Sequence, residues 1–242
     1  MNQIIVIPAR LKGTRLPGKP LMEILGKSII WRVWNQCKKV HPEEKIFIAT
    51  EDTEIEDHCK QYGINCIVTG KANTAIDRIK LFSDFVHADA YINVQGDEPI
   101  VNTQDILTVL KYNKKFPSRV VFGKTTANKT EFYDVSKAKV VCDLNGRLLY
   151  SSRAGIPIDS QGKFVSAQRA IWIYAFTKND LNKYNAHKNQ TPLEKIEDNE
   201  IIRFSEIGIP VYCVDVIGDS WAVDEKKDLK IVENLIVKRN IK

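Results

Sequence analysis

Four cations and two glycines crowd the segment Pro8-Ala9-Arg10-Leu11-Lys12-Gly13-Thr14-Arg15-Leu16-Pro17-Gly18-Lys19-Pro20, which follows the apolar run Ile4-Ile5-Val6-Ile7. Concentrated positive charge beside permissive backbone suits an anion. Amides around Gly13 and Thr14 could cradle phosphate oxygens while Arg10, Arg15 and Lys19 neutralise a triphosphate. The spacing from Gly13 to Lys19 imitates a P-loop, but Pro20 stands where that motif needs a Ser or Thr for magnesium, and it biases Lys19 away from helix. No Gly-x-Gly-x-x-Gly follows the apolar run, so a nicotinamide-type fingerprint is missing too. A solvated basic loop is the alternative that composition leaves open.

Two acidic positions complete the chemistry. Tyr91-Ile92-Asn93-Val94 reads as a strand that presents Gln95-Gly96-Asp97-Glu98-Pro99 at its end. Loops at strand C-terminal ends are where open α/β sheets bind ligands, so Asp97 should share an edge with the cationic loop. A carboxylate there can hold magnesium against phosphate oxygens; the alternative is an ordinary acidic turn. Asp224, in Gly218-Asp219-Ser220-Trp221-Ala222-Val223-Asp224, precedes the last helical pattern, and local sequence favours it as a helix N-cap. Paired with Asp97, it becomes a second metal carboxylate.

The elements that must position these residues alternate. Ile4 to Pro8, Lys45 to Thr50, Cys66 to Val68 and Ala90 to Val94 read as strands, and Ile29, Ile30, Val33, Trp34, Cys37 and Val40, then Ile76, Ile79, Phe82 and Phe85, repeat at helical spacing between them. That order predicts an α/β fold: a Rossmann-like, mostly parallel sheet flanked by helices. After about Val120 the pattern becomes mixed, with Lys139 to Cys142 and Arg147 to Ser151 flanking the turn Asp143-Leu144-Asn145-Gly146 as an antiparallel hairpin. Strands at Ile171 to Phe176 and Val211 to Val216 follow. Thr191, Pro192 and Glu194 mark a helix start, and Leu229, Val232, Leu235 and Ile236 a final helix.

The chain of 242 residues fits a single domain, and 43% hydrophobic with 27% charged residues is ordinary for a globular protein. No apolar run reaches membrane-spanning length, and neither a basic region nor a cleavage site flanks the first strand, so the expectation is a cytoplasmic protein without membrane insertion. The net charge of +6 is spread among acids, which suits small anionic substrates better than a nucleic-acid face. Five cysteines without a CxxC pair read as buried thiols. His58, Cys59 and Cys66 lack a fourth zinc ligand at suitable spacing.

The ordered set Ile7-Pro8-Ala9-Arg10 with Thr14 to Leu21, Asn93 to Pro99, Lys139-Val140-Val141, Tyr150-Ser151-Ser152-Arg153 with Ile156-Pro157, and Pro192-Leu193-Glu194 resembles the 3-deoxy-manno-octulosonate (Kdo) cytidylyltransferases over nearly the whole chain. The resemblance implies a homodimer that transfers CMP from CTP to an acidic sugar and releases pyrophosphate. It implies a nucleotide site of Ala9, Arg10, Gly13, Thr14, Arg15, Lys19, Arg78, Gln95 and Asp97, with magnesium on Asp97 and Asp224 and catalysis carried by Lys19, Arg10, Asp97 and Asp224. Arg153, Trp172, Tyr174 and Glu200 are the expected acceptor contacts, and residues 125–210 the acceptor wall and dimerisation region.

Three departures from the family pattern stand out. Thr74-Ala75-Ile76 replaces Ser-Gly-Thr before Asp77-Arg78, Ala170 and Trp172 stand where the family has His and Gly, and Glu200-Ile201-Ile202-Arg203 replaces Glu-Gln-Leu-Arg. Loss of polar partners weakens discrimination among hydroxylated acceptors. The expected acceptor is therefore Kdo or, as the substitutions favour, a modified or related keto-sugar acid, amino-substituted or more deoxygenated. Alternatives are another small anionic acceptor such as a phosphonate, or a nucleotide-binding homologue without turnover.

Overall fold

The computed structural model describes residues 1–13 and 15–241. Strand β1 (Gln3–Pro8) is buried at all six positions, as an unbroken apolar run requires of a strand covered on both faces. A small hairpin, β2 (Glu23–Ile24) and β3 (Lys27–Ser28), leads into α1 (Ile29–Lys38), whose start is fixed by the Ser28 hydroxyl accepting from the Trp31 amide at 3.2 Å. There follow β4 (Ile46–Thr50), α2 (Thr53–Tyr62), β5 (Cys66–Val68), α3 (Ala75–Phe82), β6 (Ala90–Val94) and α4 (Thr103–Lys115). The second half contains β7 (Val120–Ala127), α5 (Lys129–Tyr133), β8 (Lys139–Cys142), β9 (Leu148–Ser152) and β10 (Ala167–Phe176). Helices α6 (Lys178–Ala186), α7 (Pro192–Glu197) and α8 (Ile202–Glu206) precede β11 (Val211–Asp215) and α9 (Lys226–Arg239).

The sheet order is β11-β7-β10-β6-β1-β4-β5. Parallel pairs dominate it; β10, between β6 and β7, runs antiparallel to both. The expected hairpin forms, and β8 pairs with β10 through Gln168↔Val140 and Arg169↔Lys139. Residues 125–210 therefore supply a central strand of the main sheet rather than a separate layer. Among the described residues no helix is long and apolar enough to cross a membrane.

Both faces of the sheet are covered. Ile30, Val33 and Trp34 of α1, Ile55 of α2 and Ile106 and Val109 of α4 pack on one side, and Ile79 and Phe82 of α3, Tyr184 of α6 and Phe204 of α8 on the other. A smaller cluster joins Val232 and Ile236 of α9 to Leu16, Ile24, Ile100 and Val223. Burial of those side chains is the hydrophobic force that holds the loop after β1 and the segment before α9 against the end of β6.

Candidate active site

The loop after β1 is folded back on itself by bonds to Leu11. The amides of Gly13 and Gly18 each donate to the Leu11 carbonyl at 2.9 Å, and the Leu11 amide donates to Asp52 Oδ2 at 2.7 Å. Gly18 has φ 74°, a left-handed conformation that suits glycine. Next to it, the loop after β6 approaches so closely that a Cβ on Gly96 would lie 2.5 Å from the Pro8 carbonyl oxygen. Glycine there brings the ends of β1 and β6 together, and with them the cations and Asp97.

These ends frame one cavity. Ala9, Arg10, Gly13, Arg15 and Lys19 line it from the first loop; Arg78, Gln95, Asp97 and Asp224 close it from the other side. Thr14 lies outside the described residues. Lys19 Nζ is 2.8 Å from Asp97 Oδ2 and 3.4 Å from Asp224 Oδ1, and Arg15 Nη2 is 3.2 Å from Asp224 Oδ1. Carboxylates separated by more than a hundred residues thus converge on one cationic nitrogen. The Val223 amide donates to the Asp97 carbonyl at 2.9 Å and pins the two segments together.

Asp224 does not cap α9, contrary to the expectation from local sequence. Glu225 occupies the cap position and forms a reciprocal box with Asp228, while the Asp224 amide donates to Asp228 Oδ2 at 3.0 Å. The Asp224 carboxylate is thereby left to face the cavity. Arg78 is 3% exposed and stitches the sheet edge below it, with Glu51 at 3.3 Å, the Thr69 hydroxyl at 3.1 Å and the Gly70 carbonyl at 3.0 Å. Its charge is partly met by Glu51, so it forms a cationic wall rather than a free phosphate clamp.

A second cavity, of about 480 Å³, shares Arg15 and Asp224 with the first. Trp172 lines it, together with Ala170, Arg169, Glu98 and Trp221. Arg169 is held by Glu131 at 2.9 Å and donates to the Gly218 carbonyl at 2.6 Å; burial pushes the Glu98 carboxyl up to about 7. The other three expected acceptor contacts line neither cavity. Arg153 is committed to the end of α7, donating to the carbonyls of Glu197 and Asp198, each at 2.8 Å. Tyr174 is wholly buried, stacked between Phe122 and Phe176 at 5.1 and 5.5 Å. Glu200 accepts from the Ile76 amide at 3.1 Å, behind the wall formed by Thr74 and Ala75.

Sequence reasoning missed Asp52, Glu51, Glu98 and Arg169, whose places at the site depend on pairings between distant segments that leave no local signal.

A family model described as cytidylyltransferase matches residues 4–213. A protein from Koribacter versatilis (strain Ellin345) named 3-deoxy-manno-octulosonate cytidylyltransferase is 34% identical over 242 residues, covering 99% of this chain and 92% of its own. One of the same name from Escherichia coli is 32% identical over 235 residues, covering 96% and 95%. A solved structure of CMP:2-keto-3-deoxy-manno-octonic acid synthetase complexed with CTP superposes with a TM-score of 0.92 at 30% identity, over 99% of this chain and 100% of that one.

Proposed function

The chain belongs to the cytidylyltransferase family, and on that premise we propose that it transfers CMP from CTP to the hydroxyl of a Kdo-type keto-sugar acid, releasing pyrophosphate. The observation that carries this reading is the convergence of Asp97 and Asp224 on Lys19 at the mouth of a cavity rimmed by Arg10 and Arg15. The anomeric 2-hydroxyl oxygen attacks the α-phosphorus of CTP. The bond from that phosphorus to the α,β-bridging oxygen breaks, pyrophosphate departs, and the hydroxyl proton passes to solvent. Negative charge gathers on phosphate oxygens, so positioning and electrostatics carry the rate. Arg10, Arg15 and Lys19 supply the compensating charge.

Magnesium fits the acid pair. Both carboxylates already reach a shared cation, the ammonium of Lys19, and no third His, Cys, Asp or Glu completes a cluster among the described residues. Two protein carboxylates with substrate phosphates and water are the usual donor set for this ion. Bound there, magnesium would neutralise phosphate charge and polarise the α-phosphoryl oxygens. The acceptor is assigned to the second cavity, because Arg15 and Asp224 border both spaces. A homodimer through residues 125–210 is supported by the exposed Val135, Leu144, Ile158 and Val165, and the cytoplasm is the expected compartment.

Purified protein with CTP, magnesium and a panel of keto-sugar acids, other anionic sugars and phosphonates tests the reading. Release of pyrophosphate in step with a CMP-linked keto-sugar acid is the expected result. Turnover only with a phosphonate or another non-sugar acceptor, or none with any acid, would refute it.

A further inference from the structure

One wall of the nucleotide cavity stands at the edge of the sheet. Thr74, Ala75 and Arg78 line it, just after β5, the three-residue strand that ends the sheet next to β4. The first turn of α3 is shaped locally: the Thr74 hydroxyl accepts from the Asp77 amide and Asp77 Oδ2 accepts from the Thr74 amide, each at 3.1 Å. Such a box fixes the form of a turn; where the turn stands is fixed by what it touches outside the helix. Those contacts come from the last third of the chain. Glu200 accepts from the Ile76 amide at 3.1 Å, and Arg203 Nη1 lies 3.6 Å from Asp77 Oδ1. The two oxygens of Asp77 thus serve two partners, one in the cap and one across the fold.

Arg203 is 2% exposed and its counter-ion Glu194 0%. Its Nε and Nη2 donate to the two Glu194 oxygens at 2.7 and 2.6 Å, and the guanidinium carbon sits 3.9 Å from the centre of the Tyr184 ring. Nη1 points elsewhere, donating to the His187 carbonyl at 3.3 Å and facing Asp77. Burial works against this positive charge; the Glu194 carboxylate more than offsets it, and the Arg203 pKa is raised. A buried ion pair seldom adds stability over apolar side chains of the same volume. What apolar side chains cannot do is fix a direction. The rigid fork of a guanidinium can satisfy one carboxylate with two nitrogens while it aims the third at another, which the point charge of a lysine cannot.

We propose that Arg203 is a positioning residue for nucleotide binding: anchored on Glu194, it holds Asp77, and with it the first turn of α3, where Thr74, Ala75 and Arg78 meet CTP. This rests on the reading of that cavity as the CTP site. Arg203 lines neither cavity, so it acts through Asp77 rather than on a substrate. Lys19, Asp97 and Asp224 come from other segments and keep their mutual contacts without it. A wall touches the nucleotide alike before and during phosphoryl transfer, and losing contact of that kind raises KM for CTP while kcat stays.

The test combines calorimetric titration of CTP, which needs no acceptor, with steady-state pyrophosphate release from CTP and Kdo, for Arg203→Lys, Asp77→Asn and the double variant. Arg203→Lys keeps a charge for Glu194 and loses the fork; Asp77→Asn keeps an oxygen for the Thr74 amide and loses the charge that faces Arg203. Each single variant should weaken CTP binding and raise its KM by about tenfold, with kcat and the KM for Kdo within about twofold of wild type. The double variant should bind CTP no more weakly than the weaker single variant, because both substitutions break the same link. Melting curves identify the folded variants, and Asp77→Asn, at a side chain 14% exposed, carries the titration if Arg203→Lys does not fold. Unchanged CTP affinity in folded variants, single effects that multiply in the double variant, or a raised KM for Kdo in place of CTP would overturn the proposal. A wild type that does not bind CTP is a different failure, which removes the nucleotide reading and this proposal with it.

Discussion

Asp97→Asn should lower kcat for pyrophosphate release by roughly a thousandfold while leaving the protein folded, because a metal contributes several kcal/mol of charge stabilisation to this kind of transfer. The substitution keeps the shape of the side chain and removes its charge. Folding should survive, since the structural bond at this position, from the Val223 amide, goes to the Asp97 backbone carbonyl. CTP affinity without metal should change little, or rise slightly, because a negative charge beside the triphosphate is gone. Steady-state kinetics with a melting curve in parallel checks this. A loss below about tenfold would mean that Asp97 is an ordinary acidic turn, as composition alone allows.

Lys19→Met should cost roughly 10²- to 10³-fold in kcat, the scale set by removal of one preorganised donor at developing charge. Its second consequence is less obvious. Lys19 Nζ lies against both carboxylates, at 2.8 and 3.4 Å, so it occupies the point that a metal on the acid pair requires. Without Lys19 the acid pair is left with Arg15 alone, whose side chain is 65% exposed and screened by solvent. The variant should therefore bind Mg²⁺ or Mn²⁺ tighter than wild type, by about fivefold, the factor that corresponds to the ~1 kcal/mol of a partly exposed ion pair. Calorimetric titration of Mn²⁺ into both proteins measures it. Slower catalysis combined with tighter metal binding is a signature that simple misfolding would not produce.

Much of this site is legible in the order of residue types. β1 and β6 are covered on both faces, so each reads as an apolar run that ends abruptly in charge, and that ending is the ligand edge of the sheet. β7 was harder to read. Lys124 and two threonines interrupt it, and only the structure shows Lys124 buried and paired with Asp215 of the neighbouring β11. Local sequence favours Asp224 as the cap of α9; Asp228, three residues beyond Glu225, gives the cap position to Glu225 and leaves Asp224 facing the cavity.

The acceptor side was least accessible to sequence. Arg153 sits in a well-matched stretch, but its guanidinium is occupied by the carbonyls that end α7, contacts made across 44 and 45 residues. Tyr174 and Trp172 are alternate residues of one strand and look equivalent; the bulge in β10 buries the first and turns the second toward the cavity. Arg169, which lines that cavity, carries no local signal because its partners Glu131 and Gly218 come from separate segments.

The most direct measurement is a crystal structure of the protein with CTP and Mn²⁺, with the metal located from its anomalous scattering. The predicted result is a peak bonded to oxygens of Asp97 and Asp224 and to the triphosphate, with Lys19 Nζ transferred from the carboxylates to a phosphate oxygen. A peak distant from both aspartates, or a Lys19–Asp97 ion pair unchanged while CTP occupies another part of the molecule, would contradict the account.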